Sequence, residues 1–278
     1  MKQDKGGGLE VEPFHLEQEQ ILQLKGWQQS STNLVAGMTT KNGGVSKGNF
    51  STFNCGLHVQ DVIDDVLENR ERLAALTGFP LEDWVAAEQV HGKKVQLVSG
   101  LDKGKGAFST ESALSGIDGI LTKEKGVLLI AFYADCIPLY FYDPEEEIIG
   151  IAHAGWKGTV NQIGKEMITR FKENGSKLEN IQVTIGPGIS QEHYEVDERV
   201  VSHIDQQYRD KVLKSKGNQR FLLNLKELNK EILLHSGILR HNIDMTNYCT
   251  YRDKDLFFSY RRDQGKTGRM LGFIGMRV

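Results

Sequence analysis

A cysteine and a histidine on either side of a predicted hairpin are well placed to do chemistry together. Cys136 precedes the apolar segment 139–142, His153 follows the apolar segment 148–152, and Asp-Pro-Glu-Glu at 143–146 lies between them. A type I turn favours proline at its second position, and such a turn at 143–146 would place Cys136 directly opposite His153. Directly opposed side chains share a face, with Cβ atoms about 4.5 to 5.5 Å apart. A thiolate and an imidazole could then meet on one metal ion.

The residues alone leave alternatives open. Pro138, which cannot donate to a sheet ladder, or a three-residue loop would shift the register. A thiolate beside an imidazole is also a nucleophile and base pair that needs no metal. Cys136 can equally be a small buried hydrophobe, and His153 a hydrogen-bonded histidine at a strand end. Nothing in the residues singles out a further ligand among the other histidines, which are His15, His58, His91, His193, His203, His235 and His241.

Cations and glycines are concentrated near the C-terminus, as they are in anion-binding loops. Residues 259–263 are Ser-Tyr-Arg-Arg-Asp, and residues 265–269 are Gly-Lys-Thr-Gly-Arg. Arginine forks suit phosphate or carboxylate, although a solvated basic turn explains the same composition. Tyr248 and Tyr251 could stack on a base, but aromatic residues at such spacing are more often part of a core.

Several familiar catalytic signatures are absent from the sequence. There is no H-E-x-x-H of a zinc protease, and His193-Tyr194-Glu195 lacks the P-C-x-x-C that would complete a zinc deaminase of the usual type. Neither G-x-G-x-x-G nor G-x-x-x-x-G-K-[ST] occurs. Dinucleotide and P-loop nucleotide binding therefore have no support.

The elements that must position these residues alternate between strands and helices, with hairpins among them. Apolar runs predict strands, Gly175, Gly237 and Gly78 mark predicted helix ends, and Asn42-Gly43-Gly44 predicts a hairpin turn. We therefore predict an α/β fold, or an α+β variant of it, with a mixed sheet and flanking helices. The predicted strands are 84–90, 93–99, 127–133, 139–142, 148–152 and 181–185, and the predicted helices begin near Asp64 or Asp65, after Trp156 and at Asn224.

Composition is that of an ordinary globular protein. The chain has 278 residues, of which 39% are hydrophobic, and 34 Lys and Arg nearly balance 37 Asp and Glu. This balance gives no broad basic field, so neither nucleic acid nor a membrane surface is an expected partner. We predict a loose tail at residues 1–10 and a single catalytic domain at 11–278, as a monomer or homodimer.

The cysteines indicate a reducing compartment. Cys55, Cys136 and Cys249 are odd in number and widely spaced, which does not suit a disulfide framework. No apolar run is long enough to span a bilayer, and the N-terminal residues lack the apolar stretch of a signal peptide. We therefore expect a cytoplasmic protein.

Several ordered motifs, spread over nearly the whole chain, resemble those of the YfiH-like family. The resemblance implies a fold similar to the catalytic domain of cytotoxic necrotizing factor. It also implies a purine nucleoside phosphorylase that acts on adenosine, inosine and methylthioadenosine, with an accompanying adenosine deaminase activity. The principal motifs are Ala87-Glu88-Gln89-Val90-His91, Ala134-Asp135-Cys136-Ile137-Pro138, Ala152-His153-Ala154-Gly155-Trp156 and Tyr260-Arg261-Arg262-Asp263.

The resemblance also implies site residues. The family's zinc ligands correspond to His91, Cys136 and His153, so we expect a three-ligand zinc site with an open fourth position. From its place beside Cys136, we consider Asp135 a candidate acid or base, or a residue that supports that ligand, with structural hydrogen bonding at the bend as the alternative. Lys41 and Arg262 are the expected phosphate partners. Lys41 stands where the family's T-T-R-x-G-G-V-S motif has arginine, so a point charge replaces a bidentate fork there.

The same family has been labelled a multicopper polyphenol oxidase, or laccase. Such an enzyme fills its copper sites largely with histidines, often in H-x-H pairs, whereas this chain has eight histidines and no H-x-H. We therefore do not expect multicopper chemistry, although copper can occupy a zinc site because it outcompetes zinc for most nitrogen and sulfur ligands. A metal-free Cys-His hydrolase or deamidase, and a metal-binding protein without turnover, are the alternative functions.

Overall fold

The computed structural model describes residues 12–29 and 31–278, so the tail predicted at residues 1–10 lies outside the described residues. The described strands are β1 (Phe14–Gln18), β2 (Ile21–Leu24), β3 (Leu34–Thr39), β4 (Trp84–Ala86), β5 (Val95–Leu97), β6 (Gly119–Thr122), β7 (Leu128–Tyr133), β8 (Ile137–Asp143), β9 (Ile148–Ala154), β10 (Gln182–Ile185), β11 (Glu195–Asp197), β12 (Leu213–Gly217), β13 (Arg220–Leu223), β14 (Ile243–Met245) and β15 (Met270–Met276). The described α-helices are α1 (Ile63–Thr77), α2 (Trp156–Val160), α3 (Ile163–Glu173), α4 (Glu198–Val201), α5 (Gln206–Val212) and α6 (Leu225–His235).

These strands form two six-stranded sheets and one three-stranded sheet. The first large sheet has the order β1-β2-β3-β15-β7-β4, the second β14-β10-β8-β9-β6-β5, and the small one β11-β13-β12. Most neighbouring strands are antiparallel, but β4 runs parallel to β7, and β5 and β14 run parallel to β6 and β10. The predicted mixed sheet with flanking helices is therefore confirmed, with two such sheets in place of one.

Along the central strands, successive side chains belong alternately to two different cores, which explains how the layers pack. In β7, Leu128, Ile130 and Phe132 belong to the core under α1, whereas Leu129 and Tyr133 belong to the core between the large sheets. The second large sheet alternates in the same way, between the inter-sheet core and a core shared with α3 and α6. Successive strand residues point to opposite faces, so a continuous apolar run is what a strand buried on both faces requires.

Two buried tyrosines tie the large sheets together. The Tyr133 hydroxyl, from the first sheet, donates to the Ala152 carbonyl of the second at 3.0 Å. The Tyr140 hydroxyl, from the second sheet, donates to the Gly37 carbonyl of the first at 2.8 Å. Burial raises the pKa of both phenols, so they remain neutral donors. These bonds join the two large sheets directly.

Some sequence-based boundaries are confirmed. Gly78, in the left-handed conformation with φ 75°, ends α1, and its N–H donates to the Ala74 carbonyl at 2.9 Å. The Asn224 side chain caps α6 by accepting from the Glu227 N–H at 3.1 Å. The predicted cap at Asp64 or Asp65 is wrong, because Val62 occupies the cap position and both carboxylates lie in the first turn of α1.

Other boundaries differ. The single helix predicted after Trp156 is two helices, because Gln162 adopts a left-handed conformation with φ 66° between α2 and α3. Residues 42–44 form part of an irregular loop after β3 and not a hairpin turn. The segments predicted as strands at 84–90 and 93–99 shorten to β4 and β5, which belong to different sheets. His91 therefore lies in a loop that crosses from one sheet to the other.

Asn69 of α1 fastens the loop between β3 and α1. Its carboxamide oxygen accepts from the Val45 N–H at 2.9 Å, and its amide nitrogen donates to Ser46 Oγ and to the carbonyls of Thr52 and Asn54 at 3.0, 3.2 and 2.9 Å. Asn69→Ala would leave these buried groups without their partner. We expect the free energy of unfolding to fall by about 2–4 kcal/mol in urea titrations, because an unsatisfied buried polar group costs roughly 1–3 kcal/mol.

Glu68→Ala is the matched control on the same helix. Glu68 is exposed and forms an ion pair with Arg72 across one helical turn. Removing an exposed pair of this kind costs about 0.5 kcal/mol. Equal urea midpoints for Asn69→Ala and Glu68→Ala would show that the Asn69 bonds do not stabilise the fold.

Candidate metal centre

His91, Cys136 and His153 converge at the end of the two large sheets. One potential ligand atom from each lies within 4.8 Å of the others, and the two imidazole rings meet edge to face with centroids 4.7 Å apart. Cys136 directly precedes β8, His153 is the penultimate residue of β9, and His91 lies in the loop after β4. The structure thus brings together the three residues that the sequence motifs indicated.

The register that brings Cys136 and His153 together differs from the predicted one. Asp143 opposes Ile148, and Pro138 opposes His153, so direct opposition of Cys136 and His153 is wrong. The connecting loop, residues 144–147, holds two more residues than the predicted turn, with Glu147 in the left-handed region at φ 49°. The resulting displacement is two residues. Because side chains alternate with a period of two, Cys136 and His153 still share a face.

Gly155 leaves the space in which the three side chains meet. A Cβ at this position would lie 2.9 Å from His91 Cδ2 and 3.0 Å from Cys136 Sγ. Real Cβ atoms rarely make contacts so close, and the φ of Gly155 is an ordinary −68°. Glycine is therefore required here for space and not for backbone conformation.

Electrostatics favour a thiolate at this site. Burial alone would raise the pKa of Cys136, but the charge of His153 and hydrogen bonds with both imidazoles outweigh it and lower the pKa to about 6. Burial alone would lower the pKa of His153, but the charge of Cys136 and the hydrogen bond to Asp118 raise it to about 9. In the metal-free protein these shifts describe a thiolate beside an imidazolium.

The thiolate gives a testable reactivity. In metal-free protein we expect iodoacetamide to alkylate Cys136 with a rate that falls as pH drops through about 6, since the thiolate is the nucleophile. Mass spectrometry of digests at a series of pH values measures this rate. Cys55 is the internal control, because burial, partly offset by the charge of Arg70, raises its pKa to about 12. An alkylation midpoint for Cys136 near the ordinary thiol pKa of about 8.5 would contradict the assignment.

Asp118 contacts the His153 imidazole and the backbone of the loop that carries His91. Its Oδ1 atom lies 2.9 Å from His153 Nδ1 and accepts from the His91 N–H at 2.9 Å. Its Oδ2 atom accepts from the Gly92 and Val90 N–H groups at 2.7 and 3.2 Å. Asp118 directly precedes β6, beside β9. Sequence reasoning missed its role, because no local pattern shows that residues 35 positions apart hydrogen-bond.

The His91, Cys136 and His153 group opens into a cavity of about 980 Å³. Ligand sites usually measure roughly 300–1,000 Å³, so this one can hold a small molecule. Its lining combines three chemistries: the cations Arg70, Arg261 and Arg269; the aromatic rings of Phe132, Trp156, Tyr194 and Tyr260; and the carboxylates Glu88, Glu111 and Asp135. His58 also lines it, and burial together with the charges of Arg269 and Arg70 lowers the pKa of His58 to about 4.

Arg269 presents a free hydrogen-bonding edge in this cavity. Its Nη1 donates to the carbonyls of Thr267 and Gly268 at 2.8 and 3.0 Å, and its guanidinium lies 5.7 Å from the Tyr260 ring. Nothing in the described part of the chain accepts from Nε or Nη2, the edge that can grip an oxyanion side-on. The charge of Arg269 interacts with Cys136 and Asp135, so this guanidinium is near the metal group.

The structure does not bring Arg262 or Lys41 to the cavity, since neither lines it. Arg262 uses its guanidinium within the C-terminal loop, donating to Asp263 and to the carbonyls of Thr250, Tyr251 and Phe257. Its donors are therefore engaged. Within the cation-rich stretch at 259–269, Arg261 and Arg269 are the arginines that line the cavity.

Asp135 lines the cavity and also holds two loops. Its Oδ1 accepts from the Thr250 hydroxyl and its Oδ2 from the Arg261 N–H, both at 2.7 Å. Its carbonyl accepts from the Ile189 N–H at 2.9 Å, and its φ of 89° bends the chain between β7 and β8. The structural hydrogen bonding considered from the sequence is thus present.

Tyr248 and Tyr251 contact other aromatic residues. Tyr251 stacks on His193 with ring centroids 4.3 Å apart, and Tyr248 packs against Phe257. Neither lines the cavity. The tyrosines there are Tyr194 and Tyr260, of which Tyr260 is 55% exposed.

A family model described as multi-copper polyphenol oxidoreductase laccase matches residues 35–277. The chain belongs to this family. The purine nucleoside phosphorylase YlmD of Bacillus subtilis (strain 168) is 45% identical over 271 residues, which span 95% of this chain and 98% of that protein. A Staphylococcus aureus (strain N315) relative, named purine nucleoside phosphorylase SA1030, is 34% identical and matches 96% of this chain and 97% of its own.

Solved structures of family members have the same fold. YlmD from Geobacillus stearothermophilus superposes with a TM-score of 0.91 at 41% identity, covering 96% of this chain and 100% of that chain. Neisseria meningitidis NMB0706 superposes with a TM-score of 0.77 at 28% identity, covering 88% of this chain and 95% of that chain. The names of the sequence relatives support an enzyme of the purine nucleoside phosphorylase kind.

The family's copper-oxidase name implies more metal ligands than the described residues bring together. Within 12–29 and 31–278, one group of three or more metal-ligating side chains converges, formed by His91, Cys136 and His153. One such group can hold a single ion. No helix in the described part of the chain is long and apolar enough to cross a membrane.

Proposed function

We propose that this protein is a zinc-dependent purine nucleoside phosphorylase that cleaves adenosine, inosine and methylthioadenosine with phosphate, and also deaminates adenosine. The observation that carries the proposal is the pairing, in one cavity, of a three-ligand metal group with the free edge of Arg269. Phosphorolysis needs an oxyanion beside the bond that breaks, and these two features supply its partners. The names of the relatives support the same activity.

The residues present fit a zinc ion. One thiolate and two imidazoles are ligands that zinc prefers, and catalytic zinc sites commonly use three protein ligands and leave one position open. Their ligand atoms lie close together, and Gly155 keeps the space between them clear. When bound, zinc would supply Lewis acidity and orient phosphate or a substrate oxygen. Copper suits the same ligand set.

Arg269 is the proposed phosphate partner, in place of Lys41 and Arg262. A guanidinium edge with two parallel N–H groups matches two phosphate oxygens, and Nε and Nη2 have no acceptor in the described structure. The bonds from Nη1 to the Thr267 and Gly268 carbonyls hold the group still. A fixed donor loses little rotamer entropy on binding the anion.

The rest of the cavity suits a purine nucleoside. Phe132, Tyr194 and Tyr260 offer rings against which a flat base can pack. Glu88, whose Oε2 accepts from the Ser115 hydroxyl at 2.8 Å, offers a carboxylate for sugar hydroxyls. A mostly apolar cavity with a few placed polar groups is the usual form of a small-molecule site.

The proposed phosphorolysis transfers the sugar from the base to phosphate. A phosphate oxygen forms a bond to the sugar C1′ while the bond from C1′ to the base nitrogen breaks, and the bonding electron pair leaves with the base. The departing base takes up a proton, and the products are free base and ribose 1-phosphate, or its methylthio analogue. In deamination, water adds at the purine C6 and ammonia leaves. Asp135 is the proposed acid or base, because it lines the cavity beside Cys136.

A metal-free Cys-His hydrolase is the second candidate, and the low pKa of Cys136 favours it. A thiolate beside an imidazolium is the resting state of many cysteine nucleophiles. The convergence of His91 on the same pair favours the metal instead, since a nucleophile and base need no third ligand. A chelator distinguishes the two, because it would leave a cysteine hydrolase active.

Product analysis tests the proposal. Metal-quantified protein is incubated with adenosine, with and without phosphate, and the products are separated by chromatography. We expect ribose 1-phosphate only when phosphate is present, in an amount equal to adenine plus hypoxanthine, with inosine as the deamination product, and no products after chelation. Adenine with free ribose would indicate hydrolysis. Bound zinc without any product would indicate a metal-binding protein that has no turnover.

A further inference from the structure

We propose that Asp118 is the positioning residue that holds both imidazole ligands of the metal centre. The inference rests on the proposed metal site but not on the reaction that the site performs. The Asp118 side chain is fully buried, and its two oxygens take four hydrogen bonds from the segments that carry the ligands. No other carboxylate in the described structure contacts both histidine segments.

The first function of Asp118 is to stabilise the turn that aims His91. His91 has a φ of 60°, a left-handed conformation that non-glycine residues adopt only rarely. The three successive N–H groups of residues 90, 91 and 92 all converge on the Asp118 carboxylate, at 3.2, 2.9 and 2.7 Å. Such a concave run of N–H groups is a preferred site for an anionic oxygen. The carboxylate therefore offsets the backbone strain at a metal ligand.

The second function is to fix the tautomer of His153. An imidazole ligand must be neutral, and its other nitrogen then carries the proton. His153 Nδ1 lies 2.9 Å from Asp118 Oδ1, so Nδ1 keeps the proton and Nε2 is the atom left for the metal. The His153 N–H also donates to the Asp118 carbonyl at 2.7 Å, which fixes one residue against the other.

Both functions require two anionic oxygens. Each oxygen accepts from two donors, so all four interactions need acceptors. Asparagine has nearly the same shape but replaces one oxygen with an N–H₂ group, which would face N–H donors. Either the turn at residues 90–92 or the contact with His153 must then be lost. Asp118→Asn is therefore a nearly isosteric test of the carboxylate.

The test measures zinc binding and histidine tautomer, both independent of turnover. We expect Asp118→Asn to weaken zinc affinity about 10- to 100-fold in chelator competition, as loss of a partner behind a metal ligand commonly does. Asp143→Asn is the matched control, since Asp143 is a buried carboxylate that accepts from the Glu145 and Glu146 N–H groups at 2.9 and 3.3 Å, at the opposite end of β8. Its zinc affinity should equal that of the wild type.

A spectroscopic signature separates positioning from a general loss of stability. In zinc-loaded protein with ¹⁵N-labelled histidine, we expect His153 to carry its proton on Nδ1, and this resonance to shift or disappear in Asp118→Asn. Wild-type zinc affinity in Asp118→Asn, or wild-type coordination through His153 Nδ1, would overturn the inference. The wild-type spectrum alone decides the matter if Asp118→Asn does not fold. A protein that binds zinc as predicted but cleaves no nucleoside would refute the proposed function and leave Asp118 in place.

Discussion

Cys136→Ala is expected to lose its bound zinc and nearly all phosphate-dependent nucleoside cleavage. The substitution removes the one thiolate of the ligand set and leaves two imidazoles, of which His91 lies on an exposed loop. Lewis-acid stabilisation by a bound metal contributes several kcal/mol to a transition state, so we expect kcat/KM to fall by at least about 1,000-fold. Zinc content by atomic spectroscopy and adenine release by chromatography measure the two effects on the same sample.

Cys55→Ala is the control for loss of a buried sulfur. Cys55 is fully buried outside the metal group, and its thiol contacts the Phe53 carbonyl. This variant should keep its zinc and its activity. If Cys136→Ala retains one zinc per chain and full turnover, the metal-centre assignment is wrong.

Arg269→Gln is expected to raise the KM for phosphate and to lower kcat/KM for phosphate about 100-fold. Two charge-assisted hydrogen bonds contribute roughly 3 kcal/mol together, and about 1.4 kcal/mol corresponds to a tenfold change. The KM for the nucleoside should change much less, because Arg269 is proposed to contact the anion. Initial rates over a matrix of phosphate and adenosine concentrations separate the two constants.

Lys41→Gln makes the same charge change at the position that the sequence motif indicated. Lys41 does not line the cavity, so its phosphate KM should match that of the wild type. A raised phosphate KM in Lys41→Gln with a normal value in Arg269→Gln would reverse the assignment. The two variants thus compare the sequence-based and the structure-based phosphate partners directly.

Much of the fold follows from local patterns. The apolar runs that became β7, β9 and β10 are continuous because these strands are covered on both faces. The division into two sheets did not follow, because β7 and β8 are nearly adjacent in sequence but belong to different sheets. The bend between them depends on Asp135 in the left-handed region, at φ 89°, and on its bonds to residues 250 and 261. Such long-range contacts leave no trace in a local pattern.

The convergence of the candidate metal ligands was predictable from two independent signals. Family motifs indicated all three, and hairpin geometry placed Cys136 and His153 on one face even though the register was displaced by two residues. A displacement by one residue would have put them on opposite faces. The prediction that Cys136 and His153 share a face therefore held because the register was displaced by an even number of residues. The exact register did not matter.

The residues around the ligands were not predictable to the same extent. Asp118 acts through contacts between two strands and a loop that only the tertiary fold brings together. In the C-terminal stretch, Arg262 and Arg269 have the same chemistry. The Arg262 guanidinium donates to Asp263 and to three carbonyls, whereas Nε and Nη2 of Arg269 have no acceptor among the described residues. Which arginine remains available depends on the loop conformation.

Zinc titration of the metal-free protein tests the central claim most directly. Chelated and dialysed protein receives increasing zinc, while phosphate-dependent adenine release from adenosine and bound zinc are measured together. The proposed centre predicts no release without zinc, and a linear rise that ends at one zinc per chain. Full release from the metal-free protein, or no release with one zinc bound per chain, would contradict a zinc-dependent phosphorylase built on His91, Cys136 and His153.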